Sequence, residues 1–175
     1  MLSAPIVTTA PTDEPVDIDE VKLFLRVDGE ALDAEIAGYV GAVVADIERM
    51  TSTRLASQVV EIRADSFADL ARFNIGPVTD VVAITYEDGD GAQQTLSEDA
   101  YELFGSGLAM GIRPASGQSW PAVRPVAGAI AARLTVGYAD LPPSLALAVK
   151  MAVRSRFDGT PFDLFEATVN DRIWL

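Results

Sequence analysis

The stretch LDAEIAGYVGAVVADIERM, Leu32 to Met50, decides how the rest of the chain is read. Leu32, Ile36, Tyr39, Val40, Val43, Ile47 and Met50 recur every three or four residues, which lines them along one stripe of a helix. Asp33, Glu35, Asp46, Glu48 and Arg49 take the opposite face. At roughly 1.5 Å per residue the helix is a rod of about 28 Å, enough to span a small domain. Gly38 and Gly41 interrupt it, each at a cost of up to about 1 kcal/mol against Ala. The expected compensation is close approach of another helix or of a neighbouring chain, so both are candidate inter-subunit residues.

Elements on either side are expected to cover this stripe. Upstream, Asp17 followed by Glu20 fits an acidic capping box, and Ile18, Val21, Phe24 and Leu25 form an apolar face. Val27-Asp28-Gly29-Glu30 is the turn into the long helix, so residues 16–54 read as a helical hairpin. Residues 1–15, with Pro5, Pro11 and Pro15, read as an extended leader. Downstream, Pro142-Pro143 opens a third helix whose stripe is Leu145, Val149, Ala152, Val153 and Phe157, ending near Gly159.

Between residues 57 and 138 the period changes from 3.6 to 2. Val60, Ile62 and Ala64 alternate with charged residues, and Phe73 and Ile75 lead into the turn Gly76-Pro77. Val82, Ile84 and Tyr86 alternate next, and Asp88-Gly89-Asp90-Gly91 predicts a hairpin with a type I′ turn. Gln93 to Leu96 is the return strand, with weaker strands at Tyr101–Phe104 and Leu108–Arg113. Gly117 to Pro125 is a loop carrying Trp120-Pro121, and Ile130 to Tyr138 is the last strand. The expected fold class is α+β: a three-helix core at 16–54 and 142–158, with a β subdomain at 57–138 inserted between helices two and three.

The tail, residues 159–175, has no period, yet it holds Phe162, Leu164, Phe165, Ile173, Trp174 and Leu175. Pro161 breaks any continuation of the third helix. The segment is therefore expected to leave the body as an extended arm whose aromatics await a partner.

Composition narrows the function. The 175 residues contain no Cys and no His, which removes disulfides, Cys-based zinc sites, thiol nucleophiles and imidazole bases. The net charge of -13 opposes nucleic-acid binding, and no apolar run is long enough to span a membrane. The start of the chain lacks the basic and apolar regions of a secretory signal, so a cytoplasmic origin is expected.

Chemistry-bearing patterns are sparse. Glu87, Asp88 and Asp90 suggest calcium, but Gly91 comes at position four of the loop where an EF-hand needs glycine at position six. Gly105-Ser106-Gly107 and Gly117-Gln118-Ser119 fall short of a nucleophile elbow and have no His to activate the serine. Gly105, Gly107 and Gly111 are too widely spaced for a dinucleotide fingerprint. Lys150, Arg154 and Arg156 read as helix-end stabilisation. The expectation is an interaction protein, not an enzyme, with no catalytic, metal or cofactor residues assigned.

The run Pro15-Val16-Asp17-Ile18-Asp19-Glu20-Val21-Lys22-Leu23-Phe24-Leu25-Arg26-Val27-Asp28 resembles the opening of the head–tail connector family of long-tailed bacteriophages, which also serves as the head-completion adaptor of gene transfer agents. The likeness continues through Ile47-Glu48, Thr51 to Arg54, and Tyr86-Glu87-Asp88-Gly89. Trp120-Pro121, Leu134-Thr135-Val136-Gly137-Tyr138 and the helix after Pro142-Pro143 complete it. The third helix is more basic at its end, and the tail longer, than in relatives.

The resemblance implies a structural adaptor that forms a ring of about twelve copies under the portal protein. Such a ring extends the DNA channel without binding DNA specifically and links the filled capsid to a tail-side stopper or tail-terminator protein. It would be found first in the bacterial cytoplasm and then in the neck of the virion or phage-like particle. It also implies that the tail, with Phe162, Leu164, Phe165, Ile173, Trp174 and Leu175, reaches the portal. The alternatives are a ligand-binding or enzymatic module on the β insertion, or an assembly factor absent from the final particle.

Overall fold

The computed structural model describes residues 1–174, in a mixed α+β arrangement. The long amphipathic run forms helix α2, Asp33–Thr51. Ile36, Val40, Val43 and Ile47 are its buried positions, while Leu32, Tyr39 and Met50 at the margins of the stripe are half-buried. Burying each of those four side chains contributes about 1.5–3 kcal/mol, which outweighs the helix-propensity cost of the two glycines.

Helix α1, Ile18–Leu25, starts at Asp17, whose carboxylate accepts from the Asp19 N–H at 2.7 Å. The expected reciprocal box is not made. Glu20 instead holds Lys150 of helix α3, Pro143–Asp158, at 2.7 Å. Val21, the α2 stripe and Leu145, Val149, Ala152 and Val153 of α3 meet in one apolar cluster, joined by Val16 and Leu55. Arg154 stacks over Phe24, and Arg156 pairs with Asp46, so the basic end of α3 is spent on holding its neighbours.

A second cluster lies under an antiparallel five-stranded sheet of order β1-β2-β7-β3-β4. These are β1 Ile6–Thr9, β2 Gln58–Ala64, β3 Val78–Glu87, β4 Gln93–Thr95 and β7 Ile130–Val136. A separate hairpin pairs β5, Tyr101–Ser106, with β6, Ala109–Pro114. Period-two alternation sends Val60, Ile62, Leu134, Ala132, Val81 and Ile84 to the buried side. Phe67 and Leu70, on a 3-10 turn at Phe67–Ala71, close over them. Trp120 stacks on Phe67 at 4.7 Å between ring centroids, and Tyr86 meets it edge-on at 5.6 Å.

Several expectations need correction. The leader is not merely extended: β1 is an edge strand paired with β2. Val82 was expected on the inward side. A register shift between Val81 and Ala83 leaves it 40% exposed and buries Val81 instead.

The Asp-Gly hairpin forms, though its turn is not type I′. Gly91, not Gly89, has the positive φ of 84°, and the Gly91 N–H donates to the Asp88 carbonyl at 2.9 Å. Gly111 is set by packing: a Cβ there would fall 2.0 Å from the Ala71 carbonyl oxygen.

The extended arm is also corrected. The tail turns back through a short helix α4, Leu164–Ala167, and returns to the body.

Candidate functional site

The residues singled out in the sequence lie in the tail, 159–175, and at Gly38 and Gly41 of α2. The tail is built first by stopping α3. Gly159 takes φ 66°, where Gly bears no Cβ penalty, and its N–H donates to the Ser155 carbonyl. Pro161 follows, and Asp163 then caps α4 by accepting from the Glu166 N–H at 2.9 Å. Phe162 and Leu164 are half-buried against the helical cluster.

Arg172 is the internal brace. It is buried, donates to the Phe165 carbonyl at 2.7 Å, and lies 3.3 Å from the centroid of the Phe165 ring. Ile173 is the anchor. Its side chain is 8% exposed and sits against Gly76, while its N–H donates to the Thr51 carbonyl at 2.9 Å. The Arg72 guanidinium donates to the Trp174 carbonyl at 2.9 Å. Burial pushes the Asp171 carboxyl above its ordinary range, and burial together with Asp171 raises the Tyr138 hydroxyl.

Of the six tail residues singled out from sequence, Ile173 is buried and Phe162 and Leu164 are half-buried. Phe165 and Trp174 remain 55% and 62% exposed. Leu175 lies outside the described residues. The docked tail thus fixes two aromatic faces toward solvent on a braced support. Arg172 was missed in the sequence because nothing local marks a lone arginine as a brace.

Gly38 and Gly41 are exposed, and no atom lies within 4 Å of where a Cβ would stand at either. Close approach of a helix from the same chain is therefore corrected. Ala37, Ala42 and Ala45 on that face are exposed, and Ala37 and Gly41 share a concavity with residues 10–15 of the leader.

The acidic loop is engaged in turn chemistry. The Asp88 carboxylate accepts from Gln94 Nε2 at 2.8 Å, the Ala92 N–H at 2.9 Å and the Asp90 N–H at 3.0 Å. Those donors, Gln94 foremost, hold its carboxyl below the usual range. Among the described residues no group of three or more His, Cys, Asp or Glu is arranged to hold a metal ion, and no helix is long and apolar enough to cross a membrane.

No family model and no curated protein matches the chain by sequence. Solved structures do share its fold. A chain from the neck of an empty GTA particle computed with C6 symmetry superposes with a TM-score of 0.79 at 22% identity. A chain from the virion of a native gene transfer agent (GTA) particle gives 0.75 at 22%. A chain from the neck of a native GTA particle computed with C12 symmetry gives 0.74 at 21%. Each superposition covers 99% of this chain and 97% of the other.

Proposed function

We propose that this chain is a structural neck protein, a head–tail connector that forms a ring under the portal. Such a ring extends the DNA channel and joins the filled capsid to a tail-side stopper or tail-terminator protein. The observation that carries the reading is the fold: its likeness to chains of GTA neck and virion structures runs end to end in both partners. The C6 and C12 symmetries of those necks support a ring, and we take twelve copies as the working number.

In this reading residues 16–54 and 142–158 form a three-helix core that carries the β subdomain of 57–138. Phe165 and Trp174, exposed on the braced tail, are the anchors for the portal, because large aromatics dominate interface energy when a partner's pocket desolvates them. The net charge of -13 suits a channel wall along which DNA slides without sticking. The protein would be made in the bacterial cytoplasm and retained in the finished neck.

Mass spectrometry and imaging of purified particles test this. The chain is expected in stoichiometric ring numbers at the neck. Its absence from finished particles would instead favour a transient assembly factor. Phe165→Ala with Trp174→Ala should keep the melting temperature and lose co-purification with the portal; retained portal binding would refute the anchors.

A further inference from the structure

The five-stranded sheet has one face over its core and one face open. Register assigns the open face residue by residue. One cross-strand row runs Ile6, Glu61, Arg133, Ala83, and the next runs Arg63, Ala131, Thr85, Thr95. The second row has a small centre, Ala131 and Thr85, the first carries Glu61 and Arg133 at its middle, and Ile6 is 62% exposed at the β1 edge. Antiparallel sheets that face water usually carry a polar row there. Here the polar groups of the two rows are Glu61, Arg63, Arg133, Thr85 and Thr95.

Arg63 pairs with Glu61 and Arg124 with Glu87, each at 3.2 Å, and Arg63, Arg124 and Glu87 line a concavity of about 280 Å³. Arg133 is exposed and has no ion pair among the described residues. In a chain of net charge -13 these three arginines balance Glu61, Glu87 and Asp80, which register sets opposite Thr135, and Arg133 is left unpaired among the described residues.

The opposite charge is concentrated elsewhere. Residues 13–35 hold nine carboxylates against Lys22 and Arg26, a net -7 of the total -13. Lys22 pairs with Asp33 at 2.6 Å and also feels Asp19 and Glu30, which places those acids around one point. Asp28 and Glu30, in the turn between α1 and α2, are exposed and make no ion pair among the described residues.

Resting on the ring reading above, we propose that the open sheet face receives the acidic α1–α2 turn of a second copy of this chain. A closed ring of more than two copies must join two different patches, head to tail, and an isologous contact would set arginine against arginine. The small Ala131 and Thr85 let a turn approach closely beside them, and Arg133, unpaired among the described residues, supplies charge to Asp28 and Glu30 with Arg63 and Arg124 nearby. Complementary patches of this kind set register and partner choice more than raw affinity, so the contact is weak in free subunits and accumulates around the ring.

The test uses the full chain, whose lack of cysteine gives a clean background. Ala131→Cys on the sheet and Ala31→Cys before α2, combined in one chain, are treated with a short flexible bismaleimide at 0.15 M salt. A ladder extending past the dimer is expected. Arg63→Glu with Arg133→Glu should weaken it by about tenfold or more.

Asp28→Lys with Glu30→Lys should weaken it equally, although it reduces the net charge from -13 to -9 and would favour association if only overall repulsion mattered. All four changes together should restore the ladder. Stronger cross-linking by the lysine variant, or no restoration by the fourfold variant, overturns the proposal. So does duplex-DNA binding that the glutamate changes abolish while self-association persists, since the face would then serve nucleic acid. A ring seen at the particle neck but joined through other surfaces overturns this contact and leaves the connector reading standing.

Discussion

Replacing Ile173 with Ala tests whether the tail is a separately held unit. The side chain is 8% exposed and packed against Gly76, so truncation removes three buried carbons and leaves a cavity. At about 0.8 kcal/mol per methylene plus the cavity contribution, the loss is about 2–4 kcal/mol. The backbone bond from Ile173 to Thr51 is untouched by the change. If the tail opens alone, the loss falls on that opening equilibrium, and amides of residues 160–174 should exchange about 30- to 700-fold faster.

Amides of α2 and β7 should keep their protection, and the main melting transition should stay in place. Hydrogen exchange read by mass spectrometry, beside calorimetry, resolves the two regions. Unchanged tail exchange would show that Ile173 is not the anchor. A fall of the main transition by about 4–16 °C, the amount expected when the whole loss enters global unfolding, would refute the separation of tail from body.

Ile36→Asp should prevent folding, because Ile36 is fully buried and a carboxylate there has no partner; a soluble variant with an unchanged melting temperature would refute the helical stripe as core. Asp171→Asn should raise the melting temperature at pH 7. A carboxyl whose folded pKa is raised confers stability below its unfolded value that is lost as pH rises through the folded one, so the gap should close below about pH 4 and failure to close would refute the assignment. Self-association measured by sedimentation should rise from low to physiological salt as overall repulsion is screened. It should fall again near 1 M as contact pairs are screened too, and a monotonic response would count against opposed charge effects.

Elements with a strong period and one buried side were legible. The α2 stripe, β2 and β7 were read from spacing alone, because each presents the same face to a core along its whole length. The position of Val82 was misread because one extra residue in β3 shifts the alternation, and an insertion of that kind leaves no mark in composition. The pairing of β1 was missed because its partner lies some fifty residues away, and the prolines flanking it signal only extension.

At the candidate site, the six apolar tail residues were found by their density. Which of them faced inward depended on Gly76, Thr51 and Arg72, none of which the tail's own sequence reveals. The open sheet face was invisible for the same reason, since each of its rows exists only once four strands are in register.

The division of the apolar residues into two clusters has a kinetic side. The α2 stripe is completed by α3, and every strand except β1 is threaded between them in the chain. Roughly ninety residues must be made before the cover arrives, which at ribosomal rates is about 5–20 s. During that time the helical hairpin holds a bare apolar seam, long enough for a chaperone to be engaged or for two nascent chains to stick together. In refolding from denaturant the same long closure makes α3 docking the slow step, with the sheet cluster, whose strands lie closer in sequence, forming ahead of it.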